Sequence, residues 1–494
     1  MTLLPMPFKI AFIGAGSIGF TRKLVADLLT VPEFANVELA FTDINRRNLD
    51  MVAELCRRDI AANNLTTKIT ATTDRREALT GAKYVFCVVR IGGLEAFSHD
   101  IEIPLKYGVD QCVGDTLCAG GLMYAQRGIA ALLDFCRDIR EVAAPDCLLL
   151  NYANPMAMMT WAANKYGGVR CVGLCHGVQH GHWQIAQVLG LDKKDVDIVC
   201  AGINHQTWYV RVLAEGRDRT GELLAAFERH PEFSRTEKVR IDMLRRFGYY
   251  STESNGHLSE YVPWYRKRPE QIHQWIDLGV WINGETGGYL RVCTEGRHWF
   301  EDEFGKGADQ VEPLRYTPEN RSEEHGSRIL EALETGRVYR GHFNLVNRGT
   351  ITNLPPDAIV EAPGFVDRFG FNTPSVGELP LGCAAVCNAS ISVQRLGVEA
   401  AVHGDDQLLR QAFMMDPLVG AVCNPPEIWQ MVDEMLVALA PWLPQYKKSI
   451  AAAKRRLAKG PLLPTKKTRG AARLKTRTLA EMRRASKQNP RAGH

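Results

Sequence analysis

The chain reads as an α/β protein, a doubly wound parallel sheet over residues 1–200 followed by a mixed α+β domain over 201–445, with a basic extension over 446–494. Three observations predict this architecture. Apolar runs of strand length alternate with helical periodicity through the first 200 residues, and a glycine-rich turn separates the first strand from the first helix. Beyond 201, strand patterns such as TWYVRVL and IVEAPGFV are interspersed with amphipathic stretches such as SRILEALETG and PEIWQMVDEMLVALAPWL. With 494 residues, 45% hydrophobic and 23% charged, the chain can bury a sizeable core, and fibrous or low-complexity architectures are excluded. There is no internal repeat.

The first element, KIAFIGAGSIGF, is a strand that runs directly into Gly14-x-Gly16-x-x-Gly19, and TRKLVADLLTV continues with helical spacing. The second strand, VELAFTDI, ends at Asp43, 24 residues beyond Gly19. In a Rossmann-type unit the first glycine permits the tight turn and the second lets a pyrophosphate approach backbone N–H groups. The third lets the helix pack closely, and the acid accepts hydrogen bonds from the adenosine ribose. Strand, turn, helix and acid occur in the required order, so NAD is the expected cofactor, and Asp43 favours it over NADP. KYVFCVV, DCLLLNY and VRCVGL supply further strands, whose carboxyl ends carry RIGG, NYANP and CHGV. Ligands gather at those ends in such sheets.

Charge is unevenly spread. The segment from Lys447 holds 16 Lys plus Arg against one acid, Glu481, so the remainder of the chain is acidic although the net charge is +4. The tail, with GPLLPTKKTRGAARLKTRTL, has little apolar surface and is expected to be mostly disordered after about residue 460. Nucleic acid is a formal alternative partner, but charge runs are ordinarily solvated and no nucleic-acid partner is expected. No stretch has the roughly 18 consecutive apolar residues of a membrane span, so a cytoplasmic protein without membrane association is expected. The 13 Cys are scattered, which suggests reduced thiols with one among them free to bind a metal.

Three strand ends carry the candidate chemistry. Asn151-Tyr152-Ala153-Asn154-Pro155 presents the Asn154 amide, because the following proline imposes an extended geometry. Cys171-Val-Gly-Leu-Cys175-His176-Gly177 is followed by His180 and His182, and Gly202-Ile203-Asn204-His205 closes the third. Thiolate and imidazole suit a borderline divalent ion. Their dispersed spacing argues against structural zinc and for an open site with two protein ligands and free positions for substrate.

These motifs, GAGSIGF, IPLKYGVDQ, NYANPMAMMTWA, VGLCHGVQ, CAGINH, FGYYSTESNGHLSEYVPWY and MMDP, closely resemble the NAD- and manganese-dependent glycosidases of glycoside hydrolase family four, particularly the α-galactosidase branch. The resemblance runs from about residue 8 to 445 and omits the tail. It implies a lactate/malate-dehydrogenase-like architecture and a homo-oligomer, a dimer or tetramer, acting on a small-molecule glycoside. It also implies hydrolysis by oxidation, elimination, addition and reduction, outside the two-carboxylate mechanism of most glycosidases. NAD oxidises C3 of the sugar, a side chain removes the acidified C2 proton, the C1–oxygen bond breaks, water adds, and C3 is reduced again.

By the same resemblance Cys175 and His205 bind Mn2+ or another divalent ion and His176 protonates the departing oxygen. Asn154 contacts substrate and cofactor, and the family's tyrosine base corresponds to Tyr261, with His257 and Tyr265 as alternatives; His257 otherwise binds substrate. The chain departs from the family in carrying Cys118-Ala119-Gly120-Gly121 for Gly-Pro-Gly-Gly. Arg90 stands where relatives acting on anionic sugars carry arginine, and CHGV replaces CHSV. Both point to an α-glucuronidase or α-galacturonidase as the alternative to an α-galactosidase, unless Arg90 is spent on a protein carboxylate such as Glu95. The absence of CNxP or CDxP disfavours a 6-phosphate substrate. A 2-hydroxyacid dehydrogenase, which would produce net NADH, and an NAD-sensing nucleic-acid-binding regulator are the readings from other classes.

Overall fold

The computed structural model describes residues 8–488 except 281 and 306. Its first strands are β1 (Lys9–Ile13), β2 (Glu38–Thr42), β3 (Lys68–Thr72), β4 (Tyr84–Cys87), β5 (Leu148–Asn151) and β6 (Arg170–Gly173). They pair in parallel in the order 3-2-1-4-5-6, the arrangement of a dinucleotide-binding sheet. β4 and β5 are buried along their whole length, and β1 at all but its first residue, as strands covered by helices on both faces must be. That burial is why their sequences read as unbroken apolar runs. β3, KITAT, is an edge strand with only Ile69 buried, and for that reason leaves little apolar signal.

The sheet does not stop at β6. β7 (Val196–Ile203), β8 (Gln206–Ala214), β9 (Arg217–Asp218), β10 (Tyr250–Ser251), β11 (Tyr339–Val346), β12 (Ile359–Asp367) and β13 (Gly370–Asn372) extend it with antiparallel pairings. β11 joins β6 through Asn344 and Gly173, and β12 joins β7 through Glu361 and Gly202. The expected division at 200/201 therefore falls inside β7, and one continuous sheet serves both halves of the chain.

The helices that position the site are α1 (Ile18–Leu29), α2 (Arg46–Ala62), α3 (Gly93–Lys106), α4 (Cys118–Val142), α5 (Gly177–Leu189), α6 (Asn255–Tyr261), α7 (Gly288–Gly305), α8 (His325–Thr335), α9 (Leu381–His403), α10 (Lys447–Lys459) and α11 (Leu479–Gln488). α4 is buried through most of its length and packs against α9, forming the larger of two main cores; the other lies beneath α1, α2 and α8.

The tail corrects an expectation. Residues 460–488 are laid along the body rather than disordered, and only 489–494 lie outside the described residues. The Lys466 amide donates to the Lys106 carbonyl at 2.7 Å and the Ala471 amide to Asp110 Oδ2 at 2.8 Å, while Ala472 is buried against Ile272 and Ile276. Arg477 donates to the Glu295 carboxylate of α7 at 2.7 and 2.9 Å. An acidic body supplies the partners that the tail's own composition lacks. Among the described residues no helix is long and apolar enough to cross a membrane, and all 13 cysteines are free.

Candidate active site

The glycine turn is fastened to the end of β2. The Gly14 and Ala15 amides donate to the Thr42 carbonyl, and the Gly16 amide donates to Asp43 Oδ2 at 2.9 Å. A Cβ on Gly16 would lie 2.8 Å from that oxygen, so the close approach requires glycine there. Gly19 differs from the sequence expectation: a Cβ on it would meet nothing within 4 Å. It is exposed and faces a cleft of about 850 Å³ that Ser17, Asn45, Arg90, Leu94 and Trp299 also line, so its smallness leaves room in the cleft instead of tightening helix packing.

A second cavity, of about 430 Å³, opens at the carboxyl ends of β4, β5 and β6 and adjoins the cleft at Ser17 and Arg90. Asn154, Cys175, His176, His205 and His257 line it, together with Asp115, Glu253 and Tyr289. Cys175 follows β6. His205 is the second residue of the two-residue turn joining β7 to β8, held at φ 62°, a left-handed conformation that costs a non-glycine residue energy and recurs at functional sites. Cys175 Sγ stands 3.3 Å from His205 Nε2, and Glu253 Oε2 stands 3.8 Å from the same nitrogen. The three donor atoms lie within 4.8 Å of one another.

Glu253 comes from the turn after β10, and Gly177 admits it, since a Cβ at 177 would fall 1.9 Å from Glu253 Oε2. That oxygen is buried without a hydrogen-bond partner. Burial opposes ionisation of Glu253, but the imidazoles of His205, His257 and His176 outweigh it and hold the carboxyl down at about 2. Burial, then Glu253 and Glu361, push the Cys175 thiol up. A soft donor, an imidazole and an orphaned carboxylate together fit a divalent cation.

The other nitrogen of His205 is held from behind. Thr116 Oγ1 is 3.0 Å from Nδ1, the same hydroxyl is 3.0 Å from Asp115 Oδ1, and Tyr261 Oη is 3.4 Å from Nδ1. Such partners fix the orientation of a ligating imidazole. Tyr261 is 1% exposed, and burial, reinforced by Glu260 and Asp115, keeps its phenol above its ordinary pKa. Tyr265 is further removed, donating to Asp242 at 3.0 Å. His257, one turn before Tyr261 on α6, does face the cavity; its Nδ1 is 2.7 Å from Ser254 Oγ, and burial and His205 lower its pKa to about 4.

His176 caps the N-terminus of α5 with its side chain 65% exposed, and the Glu324 carboxylate 3.4 Å from Nδ1 raises its pKa. The amide of Asn154, which precedes Pro155 across a cis peptide, donates to Asp115 Oδ2 at 3.1 Å. Arg90 is paired with Asp115 at 3.4 Å and enclosed by Phe97, Tyr124 and Tyr289, with its guanidinium 4.5 to 5.3 Å from the ring centroids. Glu95 instead pairs with Arg297. Sequence reasoning missed Glu253, Glu324 and the Asp115–Thr116 pair. The buried loop that carries the pair is clamped by Glu260, whose carboxylate accepts the Cys112, Val113 and Gly114 amides at 2.7 to 3.0 Å.

The family 4 glycosyl hydrolase model matches residues 9–191, and the family 4 glycosyl hydrolase C-terminal domain matches 200–419. An α-galactosidase of Rhizobium meliloti (strain 1021) is 61% identical over 96% of this chain and 97% of its own length. An α-galactosidase of Bacillus subtilis (strain 168) is 34% identical over 89% and 100%. An α-galacturonidase of the same Bacillus strain is 29% identical over 87% and 96%. A solved Bacillus subtilis structure described as a glucosidase superposes with a TM-score of 0.77 at 26% identity over 87% of this chain and 100% of that one. A 6-phospho-α-glucosidase from gut microorganisms, solved with NAD and Mn2+, shares the fold at 20% identity and TM-score 0.70 over 90% and 100%. The matches span both halves of the continuous sheet and the motifs that meet at the cavity, and the chain belongs to the family 4 glycosyl hydrolases.

Proposed function

We propose that this enzyme is an exo-α-glycosidase of the α-galactosidase type that requires NAD and a divalent cation such as Mn2+. One observation carries the reading: the Cys175, His205 and Glu253 donors converge in a sugar-sized cavity that meets a dinucleotide-sized cleft at Ser17 and Arg90. The cleft begins at Gly16, Ser17 and Gly19 of the glycine turn, with Asp43 behind them holding the Gly16 amide, and a glycine turn followed by an acid is what a dinucleotide's pyrophosphate and ribose require. When bound, NAD supplies reversible oxidation at a sugar carbon, and the cation supplies Lewis acidity toward the sugar oxygens.

The chain's own residues supply the proton chemistry. His257 takes the C2 proton: it faces the cavity, and its low pKa leaves the ring neutral and able to accept. We read Tyr261, 3.4 Å from Nδ1 of His205, as orienting that imidazole, in place of the proton transfer that the family resemblance implies. His176, whose proton affinity the Glu324 carboxylate raises, donates to the departing oxygen from the open side of the cavity. Asn154 and Asp115 orient hydroxyl groups.

A neutral hexoside is favoured over a uronide because Asp115 already meets the charge of Arg90 inside an aromatic cage. We further propose that the enzyme works as a homo-oligomer in the cytoplasm, as the family resemblance implies. The test is a panel of aryl α-galactoside, α-glucoside and α-galacturonide assayed with NAD, Mn2+ and reductant. The galactoside is expected to turn over fastest with no net NADH. Preference for the uronide would install the alternative substrate class, and NADH formed in proportion to product would make the protein a dehydrogenase.

A further inference from the structure

The run CHGVQHGHW places His176, His180 and Trp183 at i, i+4 and i+7, which brings them to one face of α5. That face lines a groove of about 460 Å³ that shares His176 with the sugar cavity and is otherwise bounded by Lys23, Gln179, Lys193, Glu323 and Glu324. Trp183 is 42% exposed, as Trp264 and Trp299 also are to a similar degree, but it alone of the three lies in this groove. Its ring is nevertheless fixed, tilted against His180 at 5.6 Å between centroids and edge-on to Phe233 at 5.9 Å. Lys193 and Glu323, paired at 2.6 Å, add charged donors and acceptors within the same groove.

We propose that this face is the leaving-group subsite, on which the hexose that departs from an oligosaccharide substrate stacks against Trp183 while the Lys193–Glu323 pair engages its hydroxyls. The inference rests on the glycosidase reading, because the groove meets the sugar cavity at His176, so that a second sugar joined to the one in the cavity would lie along it. A pyranose has an apolar C–H face and a polar rim, and the groove offers an indole face beside a paired ammonium and carboxylate. An extended apolar aglycone would find only one large ring there. The groove is therefore suited to a sugar.

The test supplies the full chain with NAD and Mn2+ and compares two substrates of one glycone, a disaccharide with a hexose leaving group and the glycosyl fluoride, whose leaving group reaches no subsite. Trp183→Ala is expected to lower the disaccharide-to-fluoride ratio of kcat/KM by about tenfold or more, mainly through KM, and Trp183→Phe to recover most of it. An unchanged ratio overturns the proposal. So does dissociation of the variant's oligomer by light scattering, which would make the face a contact between copies. Saturation-transfer NMR with free glucose reads the site without turnover: transfer to the sugar C–H protons is expected in the parent and lost in Trp183→Ala, and its absence from the parent overturns the subsite. Should the parent hydrolyse neither substrate, the glycosidase reading fails and the NMR result alone decides.

Discussion

The hydroxyl of Tyr261 stands 3.4 Å from Nδ1 of His205, the ring nitrogen other than the one facing Cys175. A phenol so placed supports the imidazole from behind, whereas His257 lines the cavity itself. His257→Ala should therefore lower kcat by about 10²- to 10⁴-fold, the usual span for a general base, and stop incorporation of solvent deuterium at C2. Tyr261→Phe should cost about tenfold and keep the exchange. If the phenylalanine variant loses exchange while the alanine variant retains it, the two roles must be reversed.

At the three donors, Cys175→Ser, His205→Ala and Glu253→Gln should each abolish stoichiometric Mn2+ binding, measured by elemental analysis or electron paramagnetic resonance, with NAD affinity changed less than about threefold. Thr116→Val removes the hydroxyl 3.0 Å from Nδ1 and should weaken Mn2+ by about 10- to 100-fold, the range for partners that orient a ligand. Glu253→Gln with full metal occupancy would reduce the site to Cys175 and His205.

The extent to which this site could be read from sequence follows from how local its parts are. Gly14, Gly16 and Asp43 announce themselves because strand, turn, helix and acid occupy one short segment, and Cys175 and His205 because they sit at strand ends. Glu253 joins them only through β10 pairing with β8. Asp115 reaches the cavity and Thr116 reaches His205 only because Glu260, about 145 residues later, holds the loop just before them. The partner of Arg90 escaped for the same reason: Glu95 is near in sequence, whereas Asp115 is near in space. β3 and β11 carried little pattern, the one an edge strand and the other buried in patches, and the tail's order comes from acids of the body.

The two helix-side glycines should separate stability from cofactor binding. Gly16→Ala drives a methyl group onto Asp43 Oδ2 and should lower the cofactor-free Tm, at a cost of about 1–3 kcal/mol for the overpacked turn, as well as weakening NAD. Gly19→Ala meets only open cleft and should leave the cofactor-free Tm unchanged while raising the NAD Kd at least severalfold. Equal NAD affinity in Gly19→Ala and the parent would place the dinucleotide away from this part of the cleft.

Deleting residues 461–494 should act on the cavity through α7, whose Tyr289 lines it and whose Glu295 receives Arg477. Loss of that partly screened pair, the Ala471 hydrogen bond and the buried Ala472 should lower Tm by about 2–5 °C and raise KM severalfold with kcat nearly constant. Burial alone would raise the Glu295 carboxyl, but Arg477 and Arg291 outweigh it and hold it below its ordinary value of 4.5. A carboxyl depressed by folding binds fewer protons folded than unfolded, so its contribution is complete above about pH 4.5 and fades as pH falls through the folded-state value. The Tm difference between intact and truncated chains should accordingly be constant from about pH 6 to 8 and shrink below about pH 4. A difference that grows in acid would show that the tail is held by something other than its salt bridges to the body.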